Sequence, residues 1–280
     1  MSFCASADVV NSIHPLELIT NDLLPEGLVS TSLLGPTDSP HYYALKPQDL
    51  VTLKQAKLFI WIGPGLEALL SKAVTQQVDR SNLLTLSDAL GAELEQSTHG
   101  DHHKHDHGPA GHLWLSFSYG ADIARLIALR LQAIYPEYSR QIEKRLEQLL
   151  LNLNTERQVA IHAYQQSPLE FVAFHDAWAY YLEETGLKQR LAIAALPDQQ
   201  LSLRRLYELK SQMDGVSCMV ADINEQKAAF KLAERLELAL VELDLMGQKM
   251  TEAAKLEEFL YVRYFQALRA GFTDCLNSNT

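Results

Sequence analysis

The strongest constraint on the fold is a stretch without a helix breaker, running from about Glu137 to Gln166 between Pro136 and Pro168. Read as one helix it would reach about 45 Å, long for a globular protein and suited to a strut. The same alternation of strand and helix signals occurs on both sides of it. Before it stand the apolar runs Ala7–Val10, Leu28–Leu34, Leu58–Gly63 and Leu83–Leu86. After it stand Leu169–Phe174, Leu191–Leu196, Val216–Ala221 and Leu238–Leu243. Short continuous apolar runs read as parallel strands buried on both faces. Gly63-Pro-Gly65 closes the third run and opens a helix through Leu66–Leu70. Further helices are predicted over Tyr119–Ile134 and over Met250–Leu268, the last ending near Gly271.

The expected fold class is therefore α/β, two Rossmann-like lobes with parallel sheets joined by one long rigid backbone helix. The expected bounds are 8–135 for an N-terminal lobe, 136–167 for the linking helix and 168–280 for a C-terminal lobe. Ligands of open α/β sheets bind at the carboxyl ends of the strands, so a site is expected in a cleft between the lobes.

Six of the ten histidines fall between Thr98 and His112: His99, His102, His103, His105, His107 and His112. Gly, Pro, Asp and Lys interleave them, a composition that builds no core, so 98–111 reads as a surface loop. Imidazole is the commonest borderline-soft metal ligand and takes zinc at neutral pH. A solvated polar insertion is the plainer alternative, which the density of imidazoles disfavours. The loop histidines are expected to form weak accessory sites, and the chain to handle Zn2+.

Composition agrees. The net charge is −11, from 24 Lys+Arg against 35 Asp+Glu, and no basic block is present. That excludes nucleic acid and anionic membrane surfaces as main partners. No apolar run is long enough to span a bilayer, so no direct membrane insertion is expected. A monomer is expected.

Outside the loop, His41 lies in the Pro-bracketed segment Ser39-Pro40-His41, His112 precedes Leu113-Trp114-Leu115, and His175 follows the run ending at Phe174. Asp244 ends the last strand. Three imidazoles with a carboxylate or water would satisfy tetrahedral zinc. Their spacing matches no short zinc motif, and any one alone reads more readily as a structural histidine. His14 stands near the end of the first strand, His162 reads as a surface residue of the long helix, and Tyr42, Tyr43 and Trp61 read as packing. Glu67 is expected one turn into its helix, complementing the helix N-terminus. Neutral imidazoles imply a zinc affinity that falls as pH drops through about 6.5.

Ser-Pro-His-x-Tyr-x-Leu-x-Pro (39–47), Trp-Ile-Gly-Pro-Gly-Leu-Glu (61–67), the histidine-rich loop, His-x-Trp-Leu (112–115) and Phe-His-Asp-Ala-x-x-Tyr (174–180) occur in that order. This series resembles the periplasmic zinc-binding receptors of ABC importers, the ZnuA type, over essentially the whole chain. The resemblance implies a metal held between two lobes by His41, His112 and His175, with Asp244 as a carboxylate that coordinates or yields to water. It implies a periplasmic protein that delivers Zn2+ to a membrane permease, and it places a disulfide at Cys218 and Cys275. Manganese-type relatives carry Glu where this chain has His175, in keeping with the preference of zinc for imidazole.

The departures lie around the ligands. Pro40 stands where some zinc receptors offer Glu. Ala110-Gly111 and Ser116-Phe117 replace two Asp-Pro pairs. Ala221-Asp222-Ile223-Asn224-Glu225 replaces a strand end containing Glu-Pro, and Leu243-Asp244-Leu245-Met246-Gly247 replaces Leu-Asp-Pro-Leu-Gly. Groups that orient ligands are thereby changed more than the ligands themselves.

At the N-terminus, Ala5-Ser6-Ala7 fits a signal-peptidase site but lacks the apolar stretch before it, so the residues leave an export-signal tail and a frayed terminus evenly balanced. Cys4 would be lost on such cleavage. The remaining two cysteines would pair in an exported protein and stay buried thiols in a cytosolic one. Two other functions compete. A stand-alone periplasmic zinc chaperone shares every feature above. A zinc hydrolase would need a general base beside a metal-bound water, and neither His-Glu-x-x-His nor a serine elbow is present.

Overall fold

The computed structural model describes residues 8–91, 111–165, 169–194, 203–250 and 259–278. The accessory histidines His99, His102, His103, His105 and His107 lie outside the described residues, as does Cys4. The described chain divides into two compact units. One runs up to Leu153 and includes Met246–Val262; the other comprises Asn154–Leu245 and the segment from Arg263 on.

The first unit carries β1 (Val9–Asn11), α1 (His14–Leu23), β2 (Thr31–Ser32), α2 (Pro47–Gln55), β3 (Leu58–Trp61), α3 (Ser71–Gln77), β4 (Leu83–Thr85), α4 (Leu86–Leu90) and α5 (Phe117–Ile134). Its four strands are all parallel, in the order β2-β1-β3-β4. The two central strands are buried along their whole length, which is why β3 reads as an unbroken apolar run rather than an alternating one. Three of these strands fall inside their predicted windows, and β1 overlaps its window but runs one residue further, to Asn11.

The long helix α6 (Ser139–Tyr164) has 26 residues and follows directly on a 3₁₀ turn, Pro136–Tyr138. Proline suits this start because its missing N–H falls among donors that have no helical partner anyway. The division between the units falls inside α6.

The second unit repeats the pattern with β5 (Glu170–His175), α7 (Ala179–Thr185), β6 (Gln189–Ala194), α8 (Leu203–Lys210), β7 (Val216–Asp222), α9 (Gln226–Leu236) and β8 (Ala239–Leu243). Its sheet is again parallel, in the order β6-β5-β7-β8. Strand periodicity splits the core in two. Val172, Phe174, Met219 and Ala221 pack with Leu209, Leu232 and Leu236. Phe171, on the opposite face, meets Phe272 at 5.1 Å between ring centroids. Phe272 in turn stacks on Tyr181 at 5.3 Å and meets Trp178 edge-on at 5.1 Å.

Phe272 belongs to α10 (Leu260–Asn277), where the structure corrects the sequence reading. The helix starts at Leu260 and runs through Gly271 to Asn277, instead of spanning Met250–Leu268 and stopping near Gly271. Residues 251–258 of the predicted span lie outside the described residues. Gly271 is a close-packing glycine: a Cβ there would sit 2.2 Å from Leu243 Cδ2. The N-terminus of α10 is set by the buried carboxylate of Asp22, which accepts from the backbone N–H groups of Leu260 and Tyr261, both at 2.8 Å. A carboxylate there satisfies otherwise unpaired donors and complements the helix dipole. Cys218 of β7 and Cys275 of α10 form a disulfide with Cα atoms 5.5 Å apart. Among the described residues, no helix is long and apolar enough to cross a membrane.

Candidate metal centre

In the first unit, the loop after β2 brings His41 to His112, with imidazole centroids 5.5 Å apart and ring planes inclined by 62°. A ring nitrogen of each lies within 4.8 Å of one on the other, close enough to share a small cation. The backbone N–H of His41 donates to Ser39 Oγ at 3.3 Å, which closes the Ser-Pro-His turn. Burial lowers the His41 pKa from 6.5 to about 4. The ring is therefore neutral, the form a metal requires, well below the pH expected from an exposed imidazole.

His112 is 2% exposed and precedes the 3₁₀ turn Leu113–Leu115. Its carbonyl accepts from Leu115 N–H at 3.0 Å. Its ring stands edge-on to Trp114 at 5.1 Å, and Trp114 is fully buried. Ser116 caps α5, its Oγ accepting from Tyr119 N–H at 2.9 Å.

His175 is the last residue of β5, at the point where the strand order of the second sheet reverses between β5 and β7. Such reversal points are where open α/β sheets present ligands. The ring is 4% exposed, and its Nδ1 lies 3.5 Å from Glu225 Oε1. A narrow recess beside it is lined by Trp178, Asp222, Glu225 and Leu245. Asp222 accepts from the N–H groups of Asn224 and Leu245, each at 2.8 Å. Its pKa is raised by burial, the backbone bonds oppose the rise, and the charge of Asp244 adds to it. Asp244 follows β8, is 8% exposed and stands close enough to Asp222 for that repulsion to count.

The remaining candidates are placed as follows. His14 begins α1, with Nδ1 3.0 Å from the carbonyl oxygen of Met246. His162 is exposed on α6, as read. Tyr43 and Trp61 are packed, at 7% and 5% exposure, but Tyr42 is 40% exposed, a correction to its reading as a packing residue. Its ring centroid lies 6.2 Å from that of His41.

Glu67 also departs from its reading. No helix runs through Leu66–Leu70: a 3₁₀ turn begins at Ala68, and α3 only at Ser71. The Glu67 side chain folds back instead, and Oε2 accepts from Gly63 N–H at 3.0 Å. It is fully buried, and burial raises its pKa to about 7 against opposing hydrogen bonds from the Ser12 side chain and the backbone of Gly63 and Ile62. Two carboxylates that the sequence reading left without a role, Asp222 and Glu225, line the His175 recess. Their signal was present as Asp-x-x-Glu ahead of the apolar face of α9, a capping-box pattern.

Residues 9–273 match the family model described as zinc-uptake complex component A, periplasmic (ZnuA). The chain is 29% identical over 297 residues to the high-affinity zinc uptake system protein ZnuA of Yersinia pestis, covering 97% of this chain and 92% of that one. Its fold is that of a crystal structure of ZnuA, at a TM-score of 0.77, 20% identity and coverage of 98% and 99%. It is also that of the periplasmic zinc binding protein TroA from Treponema pallidum, at a TM-score of 0.76, 17% identity and coverage of 96% and 98%. The chain belongs to the ZnuA family, the periplasmic component A of zinc-uptake complexes.

Proposed function

We propose that this chain is the receptor that captures Zn2+ as cargo in the periplasm and delivers it to the membrane permease of an ABC importer. His41 and His112 from the first unit, with His175 from the second, supply three neutral imidazoles to one ion. Asp244 or a water completes the tetrahedron. The observation that carries the reading is the His41–His112 pair, two imidazoles 5.5 Å apart of which one has its pKa lowered by burial. The position of His175 at the strand-order reversal of its sheet supports the third ligand. The curated relatives named for high-affinity zinc uptake support the cargo. Three imidazoles favour zinc over manganese, which prefers oxygen ligands.

The His-rich loop, with His99, His102, His103, His105 and His107, supplies weaker and faster-exchanging sites. The protein acts as a monomer and not as an enzyme. A zinc hydrolase would need a base aimed at a metal-bound water, whereas the buried Glu225 faces the Nδ1 of His175. A chaperone that never meets a permease is separated from the receptor by growth of a receptor-deficient strain under zinc starvation, which only the receptor restores.

The test is zinc stoichiometry and affinity, by elemental analysis and calorimetry, for His41→Ala, His112→Ala and His175→Ala. Each substitution is expected to abolish the tight site. Equal zinc retention by all three variants would end the assignment.

A further inference from the structure

The turn after β7 places the carboxylate of Glu225 against a proposed ligand, His175. We propose that Glu225 is a positioning residue for zinc capture, holding the Nδ1 edge of His175 so that Nε2 is presented to the ion. The proposal rests on His175 being a ligand, as read above.

One carboxylate oxygen of Glu225 faces the His175 ring and the other is hydrogen-bonded to the backbone. Oε1 lies 3.5 Å from His175 Nδ1, and the two side chains are 9% and 5% exposed. Oε2 accepts from the backbone N–H of Asp222 at 3.2 Å. Asp222 is held in its turn by Asn224 N–H and Leu245 N–H, each at 2.8 Å. The carboxylate is thus fixed through the backbone at the ends of β7 and β8.

An anion beside one ring nitrogen keeps the proton on that nitrogen and leaves a lone pair on the other. It also makes the imidazole a stronger donor to a metal. In a dry site the effect is larger, because water does not screen the charge. Orientation matters equally. A ring whose Nδ1 edge faces a fixed carboxylate loses less freedom on binding, which slows zinc dissociation. The alternative, Glu225 as a ligand itself, would need an oxygen released to the ion from a carboxylate already tied to Asp222 and facing His175.

The experiment uses Glu225→Gln, which preserves shape and an acceptor for Asp222 N–H but removes the charge. Zinc affinity and dissociation rate are measured by chelator competition, and the tautomer of His175 by 15N NMR of the zinc-free wild-type and variant proteins. The expected result is a loss of affinity of about 10–100-fold, carried mainly by faster dissociation. The wild-type spectrum should show the proton on Nδ1, and the variant a mixture of tautomers.

Wild-type affinity and an unchanged tautomer in the variant, with zinc lost from His175→Ala, would overturn the positioning role and leave the capture reading intact. A carboxylate lost from the zinc coordination shell, seen by X-ray absorption, would overturn it in favour of a direct ligand. Tight zinc retained by His175→Ala would instead overturn the capture reading on which the proposal rests. The wild-type tautomer needs no substitution, so a Glu225→Gln variant that fails to fold leaves the test in force: a proton on Nε2 of His175 overturns the proposal.

Discussion

The hydroxyl of Tyr261 donates to the carbonyl oxygen of Trp114 at 2.6 Å. Through this bond the first turn of α10 fixes the turn that carries His112, whose ring stands against Trp114. Tyr261 is itself placed by Asp22, which caps the helix at Tyr261 N–H. The position of a proposed ligand thus depends on a residue far away in the chain, Tyr261, which lies 147 positions beyond Trp114.

Gly120 is the weak point of this arrangement. A Cβ there would lie 2.4 Å from Tyr261 Oη and 2.8 Å from its ring. Gly120→Ala is therefore expected to destabilise the zinc-free protein by about 1–3 kcal/mol, the usual cost of overpacking, and to weaken zinc binding by shifting the His112 turn. Because the hydroxyl is the nearest atom, adding Tyr261→Phe should cost less in the alanine background than in the wild type. Urea denaturation of the four proteins of the double-mutant cycle measures this coupling, and additive costs would refute the clash.

Glu67 makes the stability of the zinc-free protein depend on pH. Its pKa is raised to about 7 in the folded protein and stands at 4.5 ordinarily. The folded state therefore holds a proton that the unfolded state has released. The stability this confers is fully present below pH 4.5 and is lost as pH rises through about 7. Relative to wild type, Glu67→Gln should gain on the order of 3 kcal/mol between these limits. Chemical denaturation at pH 5 and pH 8 checks it; parallel wild-type and variant profiles would count against the buried, protonated carboxyl.

His41 has the opposite shift. Its pKa falls to about 4 through burial, so at this proposed ligand protons would compete with zinc only near that pH. The loss of affinity expected from the sequence near pH 6.5 is thus corrected for one of the three imidazoles. Between pH 5 and 6, zinc binding to a variant lacking the His-rich loop should release no more than about two protons per ion. Calorimetry in buffers of different ionisation enthalpy gives that number, and a release of three protons would contradict the burial effect.

The Cys218–Cys275 disulfide closes a sequence separation of 57 between β7 and α10. In the chain-entropy description such a loop is worth about 4 kcal/mol. Cys218→Ala with Cys275→Ala should lower the melting temperature, and a thiol reductant should have no further effect on that variant. An unchanged melting temperature would show that α10 packing alone holds this unit.

The strands were legible as short apolar runs, most directly β3, which is buried along its whole length and apolar at every position. The start of α6 was legible because Pro136 supplies a start signal with a local cause. The end of α10 was not: Gly271 reads as a stop, but its small size serves the approach of Leu243 from another element. Glu67 was misplaced for the same kind of reason. Its partner, the N–H of Gly63, becomes available only when the turn after β3 has formed.

The sequence by itself determined the alternation of elements, the presence of imidazoles suited to zinc and the family, since these depend on residue type and local order. The tertiary structure decided that His41 meets His112, that burial keeps His41 neutral, and that Glu225 faces His175. Each of these relations joins segments distant in the chain. Desolvation and through-space charge depend on what surrounds a group after folding, and one-dimensional spacing carries no record of that surrounding.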